Sequence, residues 1–251
     1  MNQTIYEYIC YGWIGMAILA FAALQFKNAP YGKFTSKKWG PTIDNRLGWL
    51  IMETFVLGVL YYFTFSGSKS LSYVDFTILG LFSIHYIHRS FIYPFLTKTK
   101  GKQIPLSIVG LGLYHNLANG FIIGYYLGNY ATYDNSWFSS WQFIVGLFIF
   151  LAGMTLNITS DYKLIGLRKS STDGYKIPYG GAFNYISSPN LVGEMTEWIG
   201  FAVLSWSLPG FCFAFFTFCN LFPRAVANHK WYKQTFEDYP TNRKAAIPFV
   251  F

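Results

Sequence analysis

The chain has 251 residues, of which 53% are hydrophobic, 22% aromatic and only 12% charged. Soluble domains carry about 25% charged residues, so this composition excludes a surface covered by water and leaves the length to bilayer spans. The formal charge of +8 does not point to nucleic acid, because the basic residues fall between apolar runs rather than on one face.

The apolar runs predict an all-α membrane protein with seven transmembrane helices, at approximately 7–26, 47–65, 72–95, 104–128, 141–160, 190–206 and 209–226. The first run follows "MNQTIYE", which lacks a basic n-region, so it reads as a retained span rather than a cleaved signal peptide. The last two are separated only by "SLPG", where Pro209 and Gly210 mark a tight turn. Neither an internal repeat nor a low-complexity stretch is visible. Cys10, Cys212 and Cys219 all lie in apolar runs without metal or redox spacing and read as small buried hydrophobes.

Seven crossings put the termini on opposite sides, and the basic residues test that layout. The segment 27–46 holds Lys27, Lys33, Lys37, Lys38 and Arg46; the end of span three and its loop hold Arg89, Lys98, Lys100 and Lys102. Lys163, Arg168, Lys169 and Lys176 follow span five, and Arg224, Lys230, Lys233, Arg243 and Lys244 lie in the tail. Of the 19 Lys and Arg residues only Lys69 falls on the other side. The N-terminus is expected outside, and the C-terminus and the long loops in the cytoplasm.

With each span's direction set, polar residues inside the spans can be placed by depth. At 1.5 Å per residue, Glu53 lies about 9 Å and Tyr86 about 13 Å from the cytoplasmic face. Asn157 and Asp161, four apart on one helix face, sit at the cytoplasmic end of span five. Glu194 and Glu197 occupy the first turns of span six, where the helix dipole favours carboxylates. A charged carboxylate in hydrocarbon costs about 2.5–3.5 kcal/mol even on lenient scales. Glu194 and Glu197 can be read as interfacial residues paired with Lys or Arg, and Asp161 as a boundary residue. Glu53, between "WLIM" and "TFVLGVL", needs a partner inside the bundle and is the stronger functional candidate.

"HYIHR" (85–89) raises a metal reading for His85 and His88, but the chain has only four histidines and no supporting Cys or Glu cluster. Hydrogen-bonding or packing histidines are the expectation, with no metal. No G-x-G-x-x-G follows a strand and no P-loop is present, so a nucleotide would have to lie between helices and basic loops. Arg168, Lys176, Lys102 and Arg224 are cations on the appropriate side for phosphates.

Four strings carry a family resemblance: "NITSDYKLIGLRK" (157–169), "YKIPYGGAFNYISSPNLVGEMTEWIGFA" (175–202), "WSLPGFCFAFFTFCNL" (206–221) and "FEDYPTNRKAAIPF" (236–249). "YGK" (31–33), the Glu53 span and "HYIHRSFIY" (85–93) are weaker marks of the same kind. Over roughly residues 30–251 the chain resembles the steroid 5α-reductase family. The resemblance implies a single membrane domain, 1–251, that uses NADPH to reduce the C4=C5 double bond of a 3-keto-Δ4 steroid. It implies a substrate pocket mainly from spans within 1–128, in which Glu53 and Tyr86 hold the ketone oxygen, and a cofactor site mainly from 155–251. Cofactor contacts carry over to Asn157, Asp161, Arg168, Tyr175, Asn190, Glu194, Arg224 and Tyr232. Lys102 and Lys176 stand where the family commonly has Arg, and Asn228 replaces a His of the family's tract; these three join the cofactor set. Met52 stands where Gln often precedes the catalytic Glu, which bears on steroid identity more than on the reaction.

The expected partners are a steroid or similar lipid entering from the bilayer and the membrane lipids themselves, with no nucleic acid and a monomeric chain. The location is the bacterial inner membrane or the endoplasmic reticulum, with the cofactor site facing the cytoplasm. Glu194 is expected to face the nicotinamide or ribose, and Glu197 to brace a neighbouring helix. Alternatives remain: a reductase of a polyprenal-type or 2-enoyl thioester lipid, a seven-helix transporter or receptor, and a lipid methyltransferase using S-adenosylmethionine.

Overall fold

The computed structural model describes residues 1–26, 39–99, 101–169 and 175–250. The "YGK" stretch, Lys27, Lys33, Lys37, Lys38 and Lys100 lie outside the described residues. The helices are α1 (Gln3–Phe26), α2 (Asn45–Phe65), α3 (Tyr73–Ile87), α4 (Tyr93–Leu96), α5 (Leu106–Asn129), α6 (Trp141–Lys169), α7 (Pro189–Ser205) and α8 (Leu208–Thr235). A π-helical turn, His88–Ile92, joins α3 to α4 without a break.

Helices therefore occupy all seven expected stretches. Five of them, α1, α2, α5, α6 and α8, are long and apolar enough to cross a membrane. α7 has 17 residues, and α3 has 15 before the π turn. Large apolar side chains point outward, among them Phe148 at 74% and Leu19 at 64% exposure, while buried polar groups gather inside. This inverted distribution is the one a hydrocarbon solvent favours.

Local chemistry sets the helix starts. Ser72 and Asp75 form a reciprocal capping box at α3, which Lys69 joins by an ion pair to Asp75 at 2.5 Å. Asp44 caps α2 and Ser207 caps α8, each accepting from a backbone N–H three residues on. The expected "SLPG" turn is confined to Trp206 and Ser207, with Trp206 in the left-handed region at φ 41°.

One departure from the all-helical reading is a two-stranded antiparallel ribbon. β1 (Thr42–Asp44) pairs with β2 (Gln103–Pro105), register Ile43 to Ile104. Residues 104 and 105, expected in a span, belong to this ribbon, so α5 starts at Leu106. The ribbon clamps the starts of α2 and α5 together.

Small residues let the helices meet backbone to backbone. A Cβ at Gly153 of α6 would lie 2.2 Å from Glu197 N of α7, and one at Gly200 of α7 would lie 2.2 Å from Phe150 N. Gly120, Gly124 and Gly128 of α5 bear in the same way on α2. The main core runs through Tyr6, Phe82, Tyr86, Phe150, Trp198, Phe201 and Phe213.

Candidate active site

A cavity of about 450 Å³ lies where the first turn of α2, the π turn and α4, the end of α6, the start of α7 and the lower half of α8 converge. Of the residues assigned to the cofactor, Lys102, Asp161, Arg168, Tyr175, Asn190, Glu194, Arg224, Asn228 and Tyr232 line it. Asn157 is buried behind the wall, and Lys176 is exposed outside the cavity. Leu24, Asn45, Trp49 and Tyr93 also contribute, so the N-terminal half supplies much of the lining.

The wall is a polar network knit across three elements, the π turn, α6 and α7. Asn157 Nδ2 donates to the Asn190 carbonyl at 2.8 Å, and Asn190 Nδ2 donates to Asp161 Oδ1 at 2.9 Å. The shared face of Asn157 and Asp161 thus fastens α6 to the start of α7. Arg89 Nη1 donates to the second oxygen of Asp161 at 3.2 Å, and Arg89 Nη2 approaches Glu194 Oε2 at 3.9 Å. The guanidinium lies over Tyr93 at 4.7 Å and over Trp49 at 5.9 Å. Arg89 is the residue that sequence reasoning missed, since it was counted only as a loop-side charge. Its signal was position: it stands three residues, one helical turn, after Tyr86.

Below this network the lining turns basic. Arg46, Lys98, Lys102, Arg168 and Arg224 all face the cavity. The Lys102 ammonium is held below its ordinary value by partial burial, and further by the nearby Arg168 and Lys98 charges. Such mutual repulsion is what a polyanionic ligand relieves. Arg168 lies over the Tyr175 ring at 5.3 Å, and Tyr232 stacks on Tyr239 at 5.3 Å between centroids. Asn228 Nδ2 donates to Ser188 Oγ at 3.2 Å.

Above the network lies the apolar interior. Tyr86 is buried at 5% exposure, stacked on Phe82 at 4.8 Å. Glu53 of α2 stands within electrostatic reach of Arg89, His85, Glu194 and Tyr86. The structure brings Glu53 and Tyr86 into one neighbourhood, though neither lines the cavity. Glu197, fully buried, shares a hydrogen bond with His85 Nδ1 at 2.9 Å, which braces α7 against α3. His88 Nε2 bonds the Tyr162 hydroxyl at 3.1 Å. Among the described residues no cluster of three His, Cys, Asp or Glu could hold a metal.

A family model described as 3-oxo-5-alpha-steroid 4-dehydrogenase matches residues 102–251. The chain is 38% identical to a steroid 5-alpha-reductase of Gossypium hirsutum, over 100% of this chain and 99% of that one. It is 42% identical to 3-oxo-5-alpha-steroid 4-dehydrogenase 2 of Sus scrofa, over 94% of each chain, and 38% identical to 3-oxo-5-alpha-steroid 4-dehydrogenase 1 of Homo sapiens, over 95% and 92%. With a basic, network-walled cavity beside a buried Glu–Tyr neighbourhood and likeness along its whole length, the chain belongs to the 3-oxo-5-alpha-steroid 4-dehydrogenase family of membrane oxidoreductases.

Proposed function

We propose that the protein reduces the C4=C5 double bond of 3-keto-Δ4 steroids with NADPH, giving 5α-reduced 3-ketosteroids. One observation carries the reading: Arg89 and Glu194 line the cation-rich cavity and also stand within electrostatic reach of the buried Glu53 and Tyr86. A soluble polyanion held in the cavity would therefore lie next to groups able to hold an apolar ketone.

The donor set suits a phosphorylated dinucleotide. Arg168, Arg224 and Lys102, with Arg46 and Lys98 nearby, would hold the phosphates, guanidinium forks bidentately and ammonium groups as point charges. Tyr175 and Tyr232 offer aromatic faces, and Asn190, Asp161 and Glu194 offer polar groups to the ribose and amide. When bound, a reduced nicotinamide supplies the hydride added at C5.

The chain's own residues govern where the electrons go. Addition at C5 drives the double-bond electrons onto the C3 oxygen, making an enolate. The Tyr86 hydroxyl donates to that oxygen, and Glu53 donates to it in its protonated form. A neutral Glu53 also avoids the cost of a buried charge. Each donor aimed at the developing oxyanion contributes about 3–4 kcal/mol. The enolate then takes a proton at C4 from water, which restores the ketone.

The same reading places all seven helical stretches across the bilayer, α3 with its π turn and α7 included, with the N-terminus outside and the cofactor cavity open to cytosol. One domain results, its substrate side mainly from 1–128 and its cofactor side mainly from 155–251, working as a monomer. The 18-to-1 partition of basic residues supports this layout. The test is NADPH oxidation by purified protein on adding a 3-keto-Δ4 steroid, with a 2-enoyl thioester and a polyprenal alongside. Turnover with the steroid and formation of the 5α product are expected. Turnover with a linear enoyl substrate alone would overturn the assignment.

A further inference from the structure

A carboxylate without exposure in the middle of an apolar bundle calls for a reason, and Glu197 is at 0%. Oε1 meets His85 Nδ1 at 2.9 Å, while Oε2 has no hydrogen-bond partner. In its carboxylate form Glu197 only accepts, and His85 then carries the proton on Nδ1 and donates it. The backbone of Glu197 is equally constrained, since Gly153 of α6 is packed against its N–H and Cα. Glu197 is thus a fixed post, and His85 is tied to it.

The tie bears on Tyr86 through adjacent residues. His85 and Tyr86 on α3 meet Glu197 and Trp198 on α7, dipeptide against dipeptide. The His85 ring stands edge-on to Trp198 at 4.7 Å and edge-on to Tyr86 at 5.2 Å. Trp198 lies 6.0 Å from Tyr86, and Phe82 stacks on Tyr86 at 4.8 Å while touching Trp198 at 5.2 Å. Among the described residues no hydrogen bond fixes the Tyr86 hydroxyl, so its ring is aimed by these neighbours. Ring contacts are individually weak and slide easily; of the three, only His85 has a directional, charge-assisted anchor.

We propose that Glu197 is a positioning residue, which by accepting the His85 hydrogen bond locks the aromatic wall that aims the Tyr86 hydroxyl at the substrate ketone. The inference rests on Tyr86 acting as the ketone donor. Arg89, Glu194 and Glu53 share the same interior, so the hydrogen bond has to be separated from the Glu197 charge itself. Glu197→Gln makes that separation, because the amide oxygen still accepts from Nδ1–H but carries no charge.

Single-turnover NADPH oxidation with saturating 3-keto-Δ4 steroid decides it, alongside the NADPH dissociation constant. Glu197→Ala is expected to slow hydride transfer roughly 10- to 100-fold, the scale of a misplacement near 1 Å, with NADPH affinity unchanged. Glu197→Gln should restore the rate to within about threefold. In a Tyr86→Phe background Glu197→Ala should add little, because a donor already removed cannot be misaimed. Should Glu197→Ala fail to fold, His85→Phe, which keeps the ring and loses the donor, should show the same slowing and the same non-additivity. Three results overturn the proposal: Glu197→Ala or His85→Phe within twofold of the parent, Glu197→Gln as slow as Glu197→Ala, or effects that multiply with Tyr86→Phe. A fast Tyr86→Phe enzyme would instead remove the ketone-donor reading on which the inference stands; a slow Tyr86→Phe beside a fast Glu197→Ala would remove the positioning role alone.

Discussion

Replacing Arg89 with alanine takes away a cation that joins the π turn to α6 and α7. Its side chain is 14% exposed, and its partners Asp161 and Glu194 are 4% and 16% exposed, so solvent screens little of the loss. Removing one partner of a buried pair costs about 3–5 kcal/mol. Asp161 keeps its hydrogen bond from Asn190, and the 3.9 Å approach to Glu194 is too long for a hydrogen bond. Both point to the lower figure, about 3 kcal/mol. In a chain of this size that corresponds to a fall in melting temperature of roughly 6–12 °C, read by thermal unfolding of detergent-solubilised protein. Asp161→Asn in the Arg89→Ala background should recover part of the loss, because it neutralises the orphaned charge. A shift below about 2 °C for Arg89→Ala, or further destabilisation by the second change, would refute the reasoning.

Other consequences follow from the cavity and the layout. Arg168→Ala should raise the KM for NADPH at least tenfold while changing the KM for steroid little; equal use of NADH and NADPH by the parent would contradict a phosphate-directed site. NADPH binding should weaken as pH rises through the lowered Lys102 value, since only the ammonium form attracts phosphate, and Lys102→Arg should abolish that alkaline limb in a binding titration. Impermeant thiol reagents applied outside intact cells should label Asn135→Cys and spare Thr241→Cys; the reverse pattern would invert the topology.

The helices were legible because apolar runs of sufficient length leave the chain few options in a bilayer. The turn before Pro209 was equally local, and the structure realises it at Trp206 and Ser207. The grouping of Asp161, Asn190, Glu194 and Arg224 round one cavity came from the family resemblance, assisted by depth. What escaped was non-local. Strands of three residues have no periodicity to read, so the β1–β2 ribbon was absorbed into loop and span. Arg89 meets Asp161 across 72 positions in sequence, and a charge count by side of the membrane cannot show a pairing. His85 was read as a hydrogen-bonding or packing residue, but not with which partner: Glu197 is 112 positions away. The glycines at 146, 153, 193 and 200 were visible as letters, but their reciprocal contact between α6 and α7 depends on the pairing of helices.

The two glutamates of α7 resolve into different duties. Glu194 opens onto the cavity beside Arg89, whereas Glu197, one turn on, is sealed inside against His85. Neither is a surface residue that strayed into a membrane helix: both belong to the polar interior that joins α7 to α3 and to the π turn that follows it.

The most direct test of the account is stopped-flow, single-turnover oxidation of NADPH by protein saturated with a 3-keto-Δ4 steroid, comparing the parent with Tyr86→Phe, Glu53→Gln and Glu53→Ala. Loss of one oxyanion donor costs about 10²–10³-fold, so Tyr86→Phe and Glu53→Ala should each slow by that factor with NADPH affinity intact. Glu53→Gln, which can still donate, should retain far more of the rate than Glu53→Ala. Parent-like hydride transfer in both Tyr86→Phe and Glu53→Ala would contradict the account and leave the two residues as a structural bridge between α2 and α3.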